Sequence, residues 1–489
     1  MLIKDMIQNV KVDIIQGDTE KNIKGLTIDS RKVKDGYLFA CIDGFTVDGH
    51  KFAKMAAEKG ASVILCEKDI EDIDESVTVL KAENVRKALS LISMNFYGNP
   101  MKKFRTFGIT GTNGKTSSTY FMESILKEVG RKTGVIGTIE IRIGGKKVDF
   151  DFATSTTPDS IELNELFAKM ADEKVDDVIM EVSSHSLELD KVYGCMFDTA
   201  VFTNLTQDHL DLHKTMDNYC AAKAKLFKMC KKGIINIDDK YSQKIIDAAE
   251  CEVKTFGIEN ECDYKAENIG FYTDRVKFDV MIKGEKVAFE LMIPGKFSVY
   301  NALGVIAACA EAGIDSKTIQ RGIANIKGVP GRIQNVPNDK GFNVIVDYAH
   351  SPDGLENIIK AVREFTKGRV ITVFGCGGDR DKKKRPIMGE ISAKLSDYTI
   401  VTNDNPRTEE PKEILKDIEV GIKDITDKYE MIDDRKKAIY RAIEIAGKND
   451  SVIIAGKGHE NYEIFKDKTV HFDDTEVAAE ALKNVEEKK

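Results

Sequence analysis

The segment FRTFGITGTNGKTSSTYFMESILKEV, Phe104 to Val129, constrains what this chain can fold into more than any other stretch. Phe104 to Thr110 reads as a strand, Gly111-Thr112-Asn113-Gly114 as a tight loop, and Lys115 onward as a helix with apolar positions at helical spacing. That order is what a phosphate-binding loop needs. Glycines let backbone N–H groups converge on phosphate oxygens and the helix N-terminus adds positive potential. Lys115 can then reach the terminal phosphates, and the Thr116 hydroxyl can ligate Mg²⁺. The strict spacing G-x-x-x-x-G-K-[ST] fails, because Ile109 holds the first glycine position and Gly108 sits one residue earlier.

Further short apolar runs follow (TGVIGT, DVIMEV, TAVFTN and GIINI), separated by helical periodicity, which predicts an α/β fold with a mainly parallel sheet. The chain has 489 residues, enough for about three domains. Tyr97-Gly98-Asn99-Pro100 marks a first boundary, and the Gly328, Pro330, Gly331 cluster a second. The resulting division is 1–100, 101–330 and 331–489. Before the first boundary, Thr27 to Asp29, Tyr37 to Ile42 and Ala61 to Cys66 read as strands, and Asp48 to Lys59 and Asn84 to Phe96 as helices. Beyond the second, NVIVDYA, RVITVFG, DYTIVTN and SVIIAG alternate with helical segments, predicting a second, smaller parallel sheet. The terminal VEEKK is expected to fray.

Composition narrows the function classes. A net charge of -8 with interspersed Lys and Glu argues against nucleic-acid binding, which needs a dense basic face. The longest apolar candidate, Ala302 to Ile314, is interrupted by Glu311 and falls short of the roughly 20 residues a membrane span needs. The start, MLIKDMIQNVKVD, lacks an apolar core of signal-peptide length, so a cytoplasmic location is expected. Nine cysteines, odd in number and without a C-x-x-C pair, predict reduced thiols rather than a zinc site or a disulfide framework.

Five of the seven histidines lie in the short polar segments EVSSHS, DHLDLH, DYAHSP and GKGHE. Ligands in open α/β sheets bind beyond the carboxyl ends of the strands, and Glu181 ends one predicted strand while Asp208-His209 closely follows another. Glu181 and His209 are therefore candidate Mg²⁺ ligands beside the phosphate loop. His209 and His213 could suggest a zinc helix, but no H-E-x-x-H or third ligand supports one. Lys223, on a predicted helix in NYCAAKAKLF, reads as a solvated lysine. Near a divalent cation, a desolvated amine there could instead react with CO₂ and become an anionic carbamate ligand.

The set TGTNGKTSS, STTPDS, EVSSHSLELDKV, FTNLTQDHLDLH, YCAAKAKLF, GKFSVYNALG, VPGRIQ, DYAHSPD, GCGGDRDKKKRP, TNDNPR and AGKGHE resembles the Mur ligases, in family order from about Asp29 to Glu460. The resemblance implies an N-terminal domain for the UDP end of the substrate, a central phosphate-loop ATPase domain, and a C-terminal Rossmann-like domain carrying the incoming amino acid. It implies that Ser30 contacts the nucleotide substrate and that Thr156, Thr157 and Ser183 hold its muramoyl-peptide part. Lys191 stands where the family usually has arginine, keeping the charge but losing the planar fork. Thr110, Gly111, Thr112, Asn113, Gly114, Lys115 and Thr116 would bind ATP phosphates, with Asn301, Arg332 and Asp347 at adenosine- and phosphate-contacting positions. Thr116 and Glu181 would hold one Mg²⁺, and His209 with carbamylated Lys223 the second. Lys115, Lys223 and His209 would be the catalytic set. Arg380, Asp404, Asn405, Pro406, Arg407, Gly456 and Glu460 resemble a diaminopimelate site.

The implied substrates are ATP, UDP-MurNAc-L-Ala-D-Glu and meso-diaminopimelate, used by a monomer in peptidoglycan precursor synthesis, with an acyl phosphate as intermediate. A folylpolyglutamate-type or lysine-adding sibling would share the central domain, but DSRKV and DNPR distinguish the present reading. A nucleotide-switch protein of the phosphate-loop type is the rival from another class, and it would turn over nucleotide without forming an amide.

Overall fold

The structure, a computed structural model, describes residues 1–44, 47–150, 156–272 and 274–484. The terminal VEEKK, and Ser155 of STTPDS, lie outside the described residues. Three sheets carry the architecture, each with its own apolar core. The first has five strands in the order Asp13–Gln16, Thr78–Lys81, Ala61–Cys66, Tyr37–Ala40, Gly25–Thr27. The strand expected at Thr27 to Asp29 instead ends at Thr27, because the Asp29 carboxylate turns back to accept from the Arg31 N–H and guanidinium. The helix expected over Asp48 to Lys59 is split into a 3₁₀ turn, Gly49–Phe52, and a helix, Ala53–Glu58.

The central sheet positions the site. Its parallel part runs Tyr264–Phe271, Glu252–Gly257, Cys230–Asn236, Phe197–Phe202, Arg105–Thr110, Asp177–Glu181, Thr133–Ile136. The strand Arg105–Thr110 thus lies between Phe197–Phe202 and Asp177–Glu181, in register Ile109 with both Val201 and Glu181. Helices Lys115–Glu128 and Lys296–Glu311 pack on one face, where Phe121, Ile125, Leu303 and Ile306 are fully buried. Antiparallel strands extend both ends of the sheet: Val276–Ile282 and Glu285–Leu291 at one, Ile141–Ile143 and Lys146–Val148 at the other.

The third sheet runs Gln334–Asn335, Asn343–Asp347, Ser451–Ala455, Val370–Phe374, Tyr398–Val401, Tyr429–Met431, parallel except for its first strand. Buried Arg435 stitches its carboxyl edge. It donates to Asn403 O at 2.9 Å, to Ala455 O at 3.0 Å and to both Asp474 oxygens. Strand ends that are not neighbours in the sheet are thereby held at one height. Among the described residues no helix is long and apolar enough to cross a membrane.

Candidate active site

Loop, helix and sheet meet in a cavity of about 500 Å³ between the central and C-terminal sheets, within the size range of a small-ligand site. Thr112, Asn113, Gly114, Lys115, Thr116, Asn301, Arg332 and Asp347 line it, as do Thr156, Glu181 and His209. The loop needs its glycines. Gly114 has φ 86°, in the left-handed region, and a Cβ there would collide with Asn301 Oδ1. Thr110 and Gly111 lie beneath the cavity floor. The Gly111 carbonyl accepts from Lys115 Nζ at 2.8 Å and from Lys223 Nζ at 2.9 Å.

Two ammonium groups sharing one carbonyl in a buried place disfavour their charged forms. Burial, and then each other's charge, pull Lys223 well below the ordinary lysine range, and burial pulls Lys115 down as well. Desolvation by the surrounding protein likewise lowers His209, which keeps an exposed face, to about 4, leaving a neutral imidazole at physiological pH. Glu181, 1% exposed, accepts from the Thr138 N–H at 3.1 Å and hydroxyl at 2.9 Å. Thr156 and Thr138 hydroxyls are 3.1 Å apart. Thr157 donates to the Glu181 backbone carbonyl and accepts from the Ser183 N–H, so the substrate residues inferred from STTPDS and EVSS gather at the end of the strand Asp177–Glu181.

Lys191 Nζ is 3.0 Å from Asp159 Oδ1. On the N-terminal domain Ser30 is buried and its carbonyl accepts from Lys59 Nζ at 3.2 Å, and Glu162 feels the charges of both Lys191 and Lys32. On the C-terminal side, Asp347 accepts from the Ile333 and Ala349 N–H groups at 2.8 and 2.9 Å, and burial raises its pKa. Arg332 lies over the Tyr348 ring at 4.6 Å with its Nε buried and unpartnered. Its orphan donor is a place for an anionic oxygen.

Apart from Arg380, the residues with diaminopimelate-site resemblance form a cluster at the carboxyl end of Tyr398–Val401. Asp404, Asn405 and Pro406 are buried there, and Gly456, at φ 122°, lets its backbone approach; a Cβ would sit 3.1 Å from Asp404 Oδ2. A Cβ at Gly378 would collide with Pro406 O, and one at Gly377 would sit 2.9 Å from Arg407 Nη1, so GCGG makes room for the DNPR loop. Arg407 Nη1 donates to Gly378 O at 2.9 Å and to Asn405 O at 3.3 Å. Its Nε and Nη2 donate to no acceptor among the described residues. Asn405 Nδ2 donates to Glu460 Oε2 at 2.9 Å. Arg380 is exposed at the rim, donates only to Asp379 O, and is not drawn into this cluster.

The chain matches three family descriptions in sequence: Mur ligase family, catalytic domain over 22–97; Mur ligase middle domain over 109–309; and Mur ligase, glutamate ligase domain over 331–458. It belongs to the Mur ligase family. It is 52% identical over 472 residues, 96% of this chain and 97% of the relative, to the UDP-N-acetylmuramoyl-L-alanyl-D-glutamate--2,6-diaminopimelate ligase of Clostridium botulinum. It is 50% identical to ligase 1 of that name from Clostridium acetobutylicum, covering 99% of this chain and 100% of the relative. A solved structure of a ligase of that name aligns over 99% of each chain with a TM-score of 0.71 and 29% identity. The MurF ligase of Thermotoga maritima in complex with ADP shares the fold, with a TM-score of 0.60 and 18% identity over 88% of this chain and 93% of that one.

Several residues of this Mur ligase's site escape a sequence reading. Asp353, on the helix Pro352–Phe365 of the C-terminal domain, accepts from Asn113 Nδ2 of the phosphate loop at 2.6 Å and from Thr206 Oγ1 at 3.1 Å. Tyr219 stacks on His213 with ring centroids 4.9 Å apart and reaches Thr112 Oγ1 at 3.2 Å. Asp353 stands inside the DYAHSPD motif, which is the one signal that could have found it.

Proposed function

We propose that this chain is the ATP-dependent ligase that joins meso-diaminopimelate to the D-Glu of UDP-MurNAc-L-Ala-D-Glu through an acyl phosphate, in peptidoglycan precursor synthesis. The observation that carries the reading is the cluster around the DNPR loop, where Nε and Nη2 of Arg407 are free for a carboxylate and buried Asp404 and half-buried Glu460 can receive an ammonium. That is the complement of diaminopimelate's zwitterionic far end. Near-full-length similarity to relatives bearing that enzyme name supports it. Residues 1–100 are assigned the UDP end, with Ser30 as a contact, 101–330 the ATP, and 331–489 the amino acid. Because one chain supplies all three regions, it is assigned as a monomer. ATP as substrate supports a cytoplasmic location.

Lys115 supplies positive charge where the γ-phosphoryl group is transferred, and the N–H groups of Gly111 to Thr116 cradle the phosphates while the D-Glu carboxylate oxygen attacks phosphorus. Asn301, Arg332 and Asp347 hold the rest of the nucleotide. Thr156, Thr157, Ser183 and Lys191 hold the acceptor peptide in line. The DNPR loop then presents the neutral amine, which attacks the acyl carbon as phosphate leaves. Closure of the C-terminal domain, already joined to the phosphate loop through Asp353, shields the acyl phosphate from water.

The donor set fits two Mg²⁺ ions. Thr116 and Glu181 would hold one, and His209 with Lys223 the other, Lys223 as the carbamate formed when its neutral amine adds CO₂ and releases a proton. Bound there, the ions would neutralise the triphosphate. Among the described residues no three His, Cys, Asp or Glu side chains form a cage, so phosphate and water would complete the shell of each ion. The test is phosphate release by purified protein with ATP and Mg²⁺. Release that requires both UDP-MurNAc-L-Ala-D-Glu and meso-diaminopimelate is expected. Release without the amino acid, as in a nucleotide switch, would overturn the ligase reading.

A further inference from the structure

Lys457 is fully buried, with no exposed surface, in the middle of the cluster around the DNPR loop. Its Nζ donates to Asn405 Oδ1 at 3.0 Å and to Tyr462 O at 2.7 Å, and lies 3.5 Å from Asp404 Oδ1 and 3.7 Å from Glu460 Oε2. A lysine held wholly out of water among polar partners must serve them, since removing an ammonium from water is costly. Two consequences follow from these contacts. Asn405 Oδ1 also accepts from the Ile464 N–H at 3.0 Å, so with Lys457 its amide can point only one way, Nδ2 toward Glu460. Glu460 Oε2 is thereby engaged and its carboxylate held in one orientation beside Tyr462.

The second consequence is charge. Asp404 and Glu460 are the cluster's carboxylates, Glu460 with its pKa raised by burial and by Asp404, and Arg407, Lys457 and, on the Asp404 side, Lys384 are its cations. Arg435 is spoken for by Asp474, whose carboxylate it meets at 2.6 Å with both side chains buried. Glu463 also faces Lys457 and Arg435, and burial pushes it toward its protonated form, up to about 7. Arg380 at the rim is exposed and screened by water. Lys457 is the ammonium held against both carboxylates, and the charge balance it provides suits a far end that carries one ammonium and one carboxylate. Without Lys457 that balance shifts by one charge toward the carboxylates, in favour of an ammonium alone.

Resting on the function proposed above, the geometry points to Lys457 as the positioning residue that sets amino-acid specificity. Its charge tunes the cluster to a zwitterionic far end, and its hydrogen bond aims Asn405 and Glu460. The test compares meso-diaminopimelate with L-lysine, at saturating ATP and UDP-MurNAc-L-Ala-D-Glu, for wild type, Lys457→Met and Lys457→Gln. Glutamine keeps a donor to Asn405 and removes the charge, so it serves even where methionine fails to fold.

In both variants the ratio of kcat/KM for diaminopimelate over lysine should fall by about tenfold or more, mainly through KM for diaminopimelate, with KM for ATP unchanged. An unchanged ratio in folded Lys457→Gln, or a loss shared equally by KM for ATP, overturns the assignment of Lys457 and leaves the ligase reading standing. A wild-type enzyme that uses neither amino acid overturns both.

Discussion

Replacing Arg407 with alanine isolates the contact on which the choice of amino acid turns. Its Nη1 is occupied by two backbone carbonyls, and Nε and Nη2 remain as a parallel pair of donors. Two charge-assisted hydrogen bonds at about 1.5–3 kcal/mol each bound the loss. Arg407 is half-buried, which favours the lower part of that range, about 3–4 kcal/mol in all. The specificity constant for meso-diaminopimelate should therefore drop by roughly 10² to 10³. Folding should suffer little. The bond to Gly378 O is worth about 1 kcal/mol, and the left-handed φ of 52° strains alanine as much as arginine. Steady-state kinetics at varied diaminopimelate, with thermal melting of the same preparation, reads both numbers. A loss under about fivefold, or a rise in KM for ATP as large as that for diaminopimelate, would refute the reasoning.

Other parts of the account are open to equally direct tests. Gly114→Ala should raise the ATP dissociation constant by about tenfold or more, since its Cβ meets Asn301 Oδ1 and its φ costs an L-residue about 1–2 kcal/mol; calorimetric titration with ATP and Mg²⁺ reads it, and unchanged affinity counts against the loop assignment. Lys223→Ala should be inactive and partly rescued by short-chain carboxylates supplying the missing anion, whereas Lys223→Arg should not be rescued; absence of any rescue counts against the carbamate. The buried Arg385 guanidinium binds Glu409 and holds its carboxyl at about 2, below the ordinary 4.5. That stabilisation is fully present above about pH 4.5 and lost as pH falls through about 2, so Glu409→Gln should flatten the decline in stability below pH 5; an unaltered acid limb in denaturant titrations would contradict it.

The phosphate loop was legible because its grammar is local: a strand, glycines where the backbone must bend, then a helix that starts at Lys115. Glu181 was legible for the same reason, as the last residue of an apolar run. The antiparallel strands Val276–Ile282 and Glu285–Leu291 were not. They bury alternate residues such as Phe278, Val280 and Phe289 and face water with Lys and Glu between, so they show no continuous apolar run. Lys457 was illegible in another way. Within AGKGHE it reads as an ordinary solvated lysine, and only the meeting of the DNPR loop with the Tyr462–Ile464 strand buries it. Asp353 likewise acquires its meaning from Asn113, a residue 240 positions away.

The central claim is that the D-Glu carboxylate is phosphorylated before the amide forms, and the fate of its oxygen atoms tests this most directly. UDP-MurNAc-L-Ala-D-Glu labelled with ¹⁸O in the reacting carboxylate would be turned over with ATP, Mg²⁺ and meso-diaminopimelate, and the released phosphate weighed by mass spectrometry. One labelled oxygen should pass into each phosphate, because the second step breaks the bond from that oxygen to the acyl carbon and keeps the bond it made to phosphorus in the first. Amide product accompanied by unlabelled phosphate would contradict the account.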